Sequence, residues 1–296
     1  MSTAAREATY PVELQGQVEG YLASLAFTDE ASIEGLVEAM RYSLLAGGKR
    51  IRPVLALATG KVFGRDTREL LPLAGALEMV HTYSLIHDDL PAMDDDDLRR
   101  GHPTCHVAHG EDVAILAGDG LFAEALRLLL RDQPGAPERV LAAALEVVTA
   151  AGTEGMVGGQ YLDVSAPDDL EPDALRRLQE LKTGRLIGAS VGCALSLIGE
   201  DGSATIALRR FAAELGVLFQ IVDDILDVTG NEAELGKPRG SDERHAKRTY
   251  VSVFGLDEAR RLAGESHTKA RAALGESGGH TEELERISDY ILTRPT

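Results

Sequence analysis

The chain has no tryptophan, only two cysteines, and aromatic residues at just 4% of its 296 positions. So few cysteines exclude a disulfide framework or a thiolate metal centre. Cys105 and Cys193 lie in ordinary sequence, which fits a reducing cytoplasm. Positive charge is also scarce: 30 Lys and Arg against 48 Asp and Glu leave a net charge of -18. That balance argues against nucleic acid and anionic membranes as main partners. It does not exclude anionic small molecules, because a site's local charge can oppose the global one. No run of about twenty apolar residues is present to span a bilayer, and the first residues lack the apolar core of a secretion signal. Strand-like alternation is nearly absent as well.

What remains is helical periodicity in a chain that is 44% apolar. The pattern predicts helices over about 12–26, 30–46, 51–63, 67–90, 111–131, 136–152, 171–199, 203–229, 256–273 and 280–293. Breaks fall at Gly47-Gly48, Gly101-His102-Pro103, Gln133 to Pro137, Ala166 to Asp169 and Gly199 to Gly202. Asp29 and Ser203 are candidate N-caps. No long linker or repeat divides the chain, so residues 1–296 read as a single all-α domain of about ten or more helices. Two loop-like segments, 95–110 and 229–248, carry function-type residues.

Two acidic clusters stand out. Asp88-Asp89-Leu90-Pro91-Ala92-Met93-Asp94, running on to Asp97, follows the apolar segment Tyr83 to His87. Asp223-Asp224-Ile225-Leu226-Asp227 follows Val217 to Val222. Carboxylates on a helix that otherwise looks buried need a compensating cation. His81, Ser84, Leu85 and Asp88 have i, i+3, i+4, i+7 spacing and share one face. Asp223 and Asp227 lie one turn apart, with Gln220 near the same face. Like charges at that spacing destabilise a helix unless neutralised. Magnesium suits such carboxylates, being a hard cation that takes oxygen ligands. Taken alone, Asp94 to Asp97 could be a solvated surface run, and the second cluster an ordinary acidic helix face.

Basic residues accompany the acids. Gly47-Gly48-Lys49-Arg50-Ile51-Arg52-Pro53 gathers three cations at a helix start, where backbone amides and the helix dipole favour anions. Arg99-Arg100-Gly101 follows the first acid cluster and suits bidentate phosphate contacts. Lys182-Thr183-Gly184, Lys237 and Lys247 are weaker signals, since a lone lysine is usually solvated. Two acidic faces with several cations form an inventory for a diphosphate held through bridging magnesium. No nucleophilic triad or P-loop is present.

In this order, Gly47-Gly48-Lys49-Arg50-x-Arg52-Pro53, Asp88-Asp89-x4-Asp94 with Arg99-Arg100-Gly101, Gly158-Gly159-Gln160-x2-Asp163, Lys182-Thr183-Gly184, Phe219-Gln220, Asp223-Asp224-x2-Asp227 and Gly236-Lys237 resemble the all-trans polyprenyl diphosphate synthases. The resemblance runs from about residue 40 to 255. It implies mostly antiparallel helices around a deep central cavity, commonly a homodimer, and condensation of isopentenyl diphosphate with an allylic diphosphate. It implies that Asp88, Asp89, Asp94, Asp223, Asp224 and Asp227 hold magnesium, three ions per active site. It places isopentenyl diphosphate at Lys49, Arg52, His81 and Arg100. The allylic diphosphate falls to Arg99, Lys182, Thr183, Gln220 and Lys237, with Lys247 assisting. Ser241 and His102 depart from common versions of the pattern, which bears on the 236–248 loop.

The four residues between Asp89 and Asp94 resemble the longer first motif of bacterial farnesyl and some geranylgeranyl synthases. A helix rises about 1.5 Å per residue, so Tyr83 lies roughly 7 Å deeper than Asp88. There, with Ser84 beside it, it would form the floor for a fifteen-carbon product. Ordinary core packing of the ring is the alternative. Geranylgeranyl or geranyl synthesis, a class I terpene cyclase, a His-Asp phosphohydrolase and a non-catalytic synthase subunit also remain open. A cyclase would have no need of Lys49, Arg52 and Arg100.

Overall fold

The computed structural model describes residues 10–165, 171–230 and 248–294. Helices α1 (Val12–Ser24), α2 (Glu34–Leu44) and α3 (Ile51–Val62) open the chain. Helix α4 (Leu71–Asp88) follows, with Pro72 in its first turn, where a missing N–H costs nothing. A two-residue hairpin comes next, β1 (Leu98–Arg99) paired antiparallel with β2 (His102–Pro103). Arg100 and Gly101 at its tip have φ of 54° and 77°, as a two-residue hairpin requires. Then come α5 (Cys105–His109), α6 (Glu111–Asp132), α7 (Pro137–Ala151), α8 (Met156–Val164) and α9 (Pro172–Gln179). A π-helical turn, Glu180–Gly184, joins α9 to α10 (Arg185–Ile198). The chain continues through α11 (Ser203–Thr229), α12 (Tyr250–Phe254), α13 (Leu256–Ser277) and α14 (Glu282–Thr293).

Helices α3, α4 and α10 are buried along most of their length and form the centre of the bundle. Helix α10 packs on α3, α7 and α11, while α4 packs on α3 and α6. Helix α11 lies along α13 in the most extensive contact of the fold. Phe211, Leu55, Leu57, Leu73, Leu77 and Leu186 are among the side chains fully withdrawn from water. Each contributes on the order of 2 kcal/mol of transfer free energy.

The ten expected helices form, with corrections. Helix α8, which carries Gly158-Gly159, was not anticipated: the apolar pattern placed no helix between 152 and 171. Both glycines allow close approach. A Cβ on Gly159 would lie 2.2 Å from the backbone nitrogen of Lys182, so α8 can pack directly on the π turn. Helices α5 and α12 are too short for periodicity to show. The segment 171–199 is interrupted by the π turn. Neither expected N-cap forms. The Glu30 side chain accepts from Ser32 N (3.1 Å) at a 3-10 turn, displacing Asp29 from that role. Ser203 is already helical, after Gly202 with φ of 146°.

Both cysteines are free and buried. By length and composition, Pro137–Val164 and Pro172–Ile198 could cross a membrane. The first is broken between α7 and α8, however, and 67% of the second's most apolar window is buried, as in a core helix.

Candidate active site

A cleft of about 730 Å³ opens between α4 and α11, with the start of α3, the β1–β2 hairpin, the π turn and the end of α14 completing its walls. The acid clusters face it from opposite sides. Asp88 and Asp94 line it from the end of α4, Asp223, Asp224 and Asp227 from α11. Helix α4 ends where the sequence indicates. Asp94 N donates to Asp88 O (2.8 Å), folding the chain back so that the two acids stay together, and Asp95 takes φ of 51° in the turn.

Asp89 differs. It is 3% exposed, does not line the cleft, and is held by Arg99, whose Nε lies 2.7 and 2.9 Å from its two oxygens. Burial pushes its pKa up, against the opposing pull of Arg99. Arg99 itself lines the cleft, so Asp89 acts on the site by fixing that cation from behind.

Lys49, Arg52, His81 and Arg100 all line the cleft, and His81 lies within the charge field of Arg52 and Arg100. Arg50, between the first two, adopts a left-handed backbone (φ 53°) that costs conformational energy. Its side chain compensates through a buried ion pair with Glu78 (2.6 Å) and a partly exposed one with Glu19 (2.7 Å). That arrangement turns Lys49 and Arg52 to the cleft. Burial pushes Arg52 down to about 10, partly offset by Glu78 and Asp223. Its Nε is buried with no hydrogen-bond partner. Arg100 donates to Gly47 O and is packed so tightly that a Cβ on Gly48 (φ 118°) would meet its guanidinium at 2.6 Å. Burial, followed by the charges of Arg52, Arg100, Arg99 and Arg50, holds His81 well below the usual imidazole range, so it is neutral. A buried cation with an unmade hydrogen bond, a neutral imidazole and two further cations are what an anion would complete.

The π turn and α11 bring Lys182, Thr183 and Gln220 to the same cleft. The π turn inserts an extra residue, as such turns often do at functional sites. Lys182 Nζ pairs with Asp163 Oδ2 of α8 (2.5 Å). Gln220 Nε2 donates to Asp224 Oδ1 (2.8 Å). Lys237, Lys247 and Ser241 lie outside the described residues.

Tyr83 does not line the cleft. It points toward α6, meeting Phe122 edge-on (centroids 5.2 Å) and His87 (5.8 Å). Ser84 Oγ is turned back to His81 O (2.8 Å), and Glu78, His81, Leu85 and Asp88 are the α4 residues that line the cleft.

Several cleft residues escaped sequence reasoning. Glu78 had a usable signal, an acid three residues before His81 on an apolar helix. Arg294 had none. It reaches the cleft from the end of α14, contacts Asp223 Oδ1, and stacks on Phe219 with 4.5 Å to the ring centroid. Tyr290 lies nearby, with Lys49 Nζ 5.4 Å from its ring.

Among the described residues no three His, Cys, Asp or Glu side chains sit close enough to hold a metal alone. The metal array of a His-Asp phosphohydrolase therefore does not form there. The facing acids do fit magnesium in its usual mode, one or two carboxylates per ion completed by water and substrate phosphate oxygens.

A family model described as polyprenyl synthetase matches residues 33–291. The chain is 46% identical to a farnesyl diphosphate synthase of Escherichia coli strain K12, covering 88% of this chain and 89% of that protein. It is 44% identical to a chloroplastic geranylgeranyl pyrophosphate synthase of Capsicum annuum, covering 87% and 71%. The structure of a Helicobacter pylori geranyltransferase complexed with magnesium and isoprenyl diphosphate superposes with a TM-score of 0.83 at 31% identity, covering 99% of this chain and 98% of that one.

Proposed function

The chain belongs to the polyprenyl synthetase family, and on that premise we propose that its cleft joins isopentenyl diphosphate to dimethylallyl or geranyl diphosphate, giving farnesyl diphosphate. It is a prenyltransferase with the all-α isoprenoid synthase fold. The observation that carries the reading is one cleft lined both by the two acid clusters and by cations from different elements, Lys49 and Arg52 at the start of α3, Arg99 and Arg100 on the hairpin and Lys182 on the π turn. A cyclase, which takes one diphosphate, has no use for so many cations around one cleft.

Lys49, Arg52, His81 and Arg100 bind the isopentenyl diphosphate. Arg99, Lys182, Thr183 and Gln220 bind the allylic diphosphate, with Lys237 and Lys247 contributing from the segment outside the described residues. Asp88, Asp94, Asp223, Asp224 and Asp227 hold magnesium, three ions per site, with Asp89 acting through Arg99. Bound magnesium supplies positive charge that neutralises diphosphate and eases its departure. The cations that bind the allylic diphosphate stabilise the same developing charge. The allylic C–O bond breaks, the isopentenyl double bond attacks the carbocation, and a new C–C bond forms. Loss of a proton then restores the double bond. In this reading the departing diphosphate accepts the proton. Leu85, Leu178, Phe219 and Leu226 give the cleft apolar surface that keeps water from the cation.

Residues 1–296 form one catalytic domain in this reading, working as a cytoplasmic homodimer. Leu116 of α6 and Leu141 and Leu145 of α7 are 55%, 63% and 63% exposed, the kind of apolar surface that pairing covers. The alternative product is geranylgeranyl diphosphate, which the Capsicum relative's name favours. Incubating the protein with magnesium, isopentenyl diphosphate and each allylic diphosphate, with products identified by mass, separates these readings. Chain elongation to fifteen carbons is expected. No elongation with any primer overturns the synthase reading.

A further inference from the structure

Asp224 is 2% exposed and accepts from three elements. Gln220 Nε2 donates to Oδ1 (2.8 Å) from one turn back on the same helix. Tyr250 N donates to Oδ2 (2.7 Å) from the first turn of α12, where a Thr249–Ser252 capping box fixes the chain. Gln179 Nε2 donates to Oδ2 (3.2 Å) from the last residue of α9, 45 positions away in sequence. Of these donors, only Gln179 is a side chain brought in by a separate element.

Gln179 is 7% exposed, and its Oε1 is buried without a hydrogen-bond partner. Leaving a buried amide oxygen unpaired costs stability. Turning the amide over would set that oxygen against a carboxylate. The orientation is thus dictated by Asp224, at the expense of the glutamine's own satisfaction. Position matters too. Gln179 immediately precedes the π turn that carries Lys182 and Thr183 into the cleft. Behind it lies a second cavity of about 930 Å³, between α7, α10, α11 and α13, and Gln179 and Gln220 line both spaces. The two amides are the partition between the cleft and that cavity.

We propose that Gln179 is a positioning residue: it fixes the direction in which the Asp224 carboxylate faces the cleft and ties that direction to the turn presenting Lys182. This rests on the magnesium reading of the acid clusters. Outer partners of metal-ligating carboxylates typically affect metal affinity by about 10- to 100-fold.

The test is calorimetric titration of MgCl₂ into the intact protein with inorganic diphosphate, comparing wild type with Gln179→Met, similar in length but lacking the donor. Magnesium affinity is expected to fall about tenfold. Binding of isopentenyl diphosphate without metal, and the melting temperature without metal, should stay close to wild type. Gln179→His, whose Nε2 has similar reach, is expected to recover affinity to within about threefold. If Gln179→Met does not fold, Gln179→Leu, also lacking a donor and adding no charge, gives the same comparison. Wild-type magnesium affinity in the donor-less variant overturns the proposal. So does an equal loss of metal-free isopentenyl diphosphate binding, which would mark a merely structural role. A wild-type protein that binds no magnesium overturns the metal reading itself, a distinct outcome.

Discussion

Arg294, near the C-terminus, places its guanidinium against Asp223 Oδ1 and lays it over the Phe219 ring. A protein cation thus occupies one of the carboxylates assigned to magnesium. Only 11% of the Arg294 side chain is exposed, so its charge is poorly screened there. With Asp223 as a magnesium ligand, as proposed, the ion would have to displace Arg294 from it. Removing a partly exposed ion pair of this kind is worth about 1 kcal/mol, or several-fold in binding. Arg294→Ala is therefore expected to tighten magnesium binding about three- to tenfold in a titration with inorganic diphosphate. Unchanged or weaker binding would contradict the competition.

His81 makes stability depend on pH in a predictable direction. Its native pKa lies well below the usual value, because burial and four arginines oppose its charge. The unfolded chain takes up a proton there near pH 6.5, and the native chain does not. Stability is therefore lost as pH falls below about 6.5, until the native pKa is reached. His81→Gln removes this contribution. Between pH 6.5 and 5.5, urea denaturation should show wild type losing about 1 kcal/mol more than the variant.

The helices were legible because apolar periodicity is long-range and redundant, as in α4 and α11. The acid clusters were legible because carboxylates at the ends of apolar helices are costly and demand a reason. Three things were not. The π turn at Glu180–Gly184 depends on α8 packing against its backbone through Gly159, a tertiary contact that local pattern does not encode. The division of labour between Asp88 and Asp89 depends on which way each side chain turns at a helix end: one faces the cleft, the other Arg99. Arg294 and Gln179 come from residues with no local signal and matter only because the fold delivers them to α11.

Gly159 links the glycine motif to the π turn that carries Lys182 into the cleft. A methyl group there would stand 2.2 Å from the backbone nitrogen of Lys182, too close for any rotamer change to relieve. The π turn must shift, moving Lys182 away from Asp163 and the cleft. A displacement of about 1 Å at a charge-stabilising group costs on the order of 100-fold in rate. Gly159→Ala is expected to lower kcat/KM for the allylic substrate by that order. Isopentenyl diphosphate binding without metal, measured calorimetrically, should change little, since Lys49, Arg52 and Arg100 come from α3 and the hairpin rather than from the π turn. Equal damage to both substrates would point instead to general disruption of the fold.

Product length is the sharpest test of the α4 geometry. Tyr83 meets Phe122 and His87 edge-on, and burial pushes its hydroxyl up to about 12, so the ring is a neutral, packed body. It lies behind the cleft-lining residues, so it can stop a growing chain only once that chain has passed Leu85 and Ser84. Tyr83→Ala removes the ring and leaves space next to Phe122. Products are then expected to shift from fifteen to twenty or more carbons, read by mass after reaction with geranyl diphosphate. Phe122→Ala removes the ring's support without opening the same space, and should shift the distribution less, in the same direction. If Tyr83→Ala stays active with its product length unchanged, the chain is limited elsewhere, and Tyr83 is ordinary packing between α4 and α6.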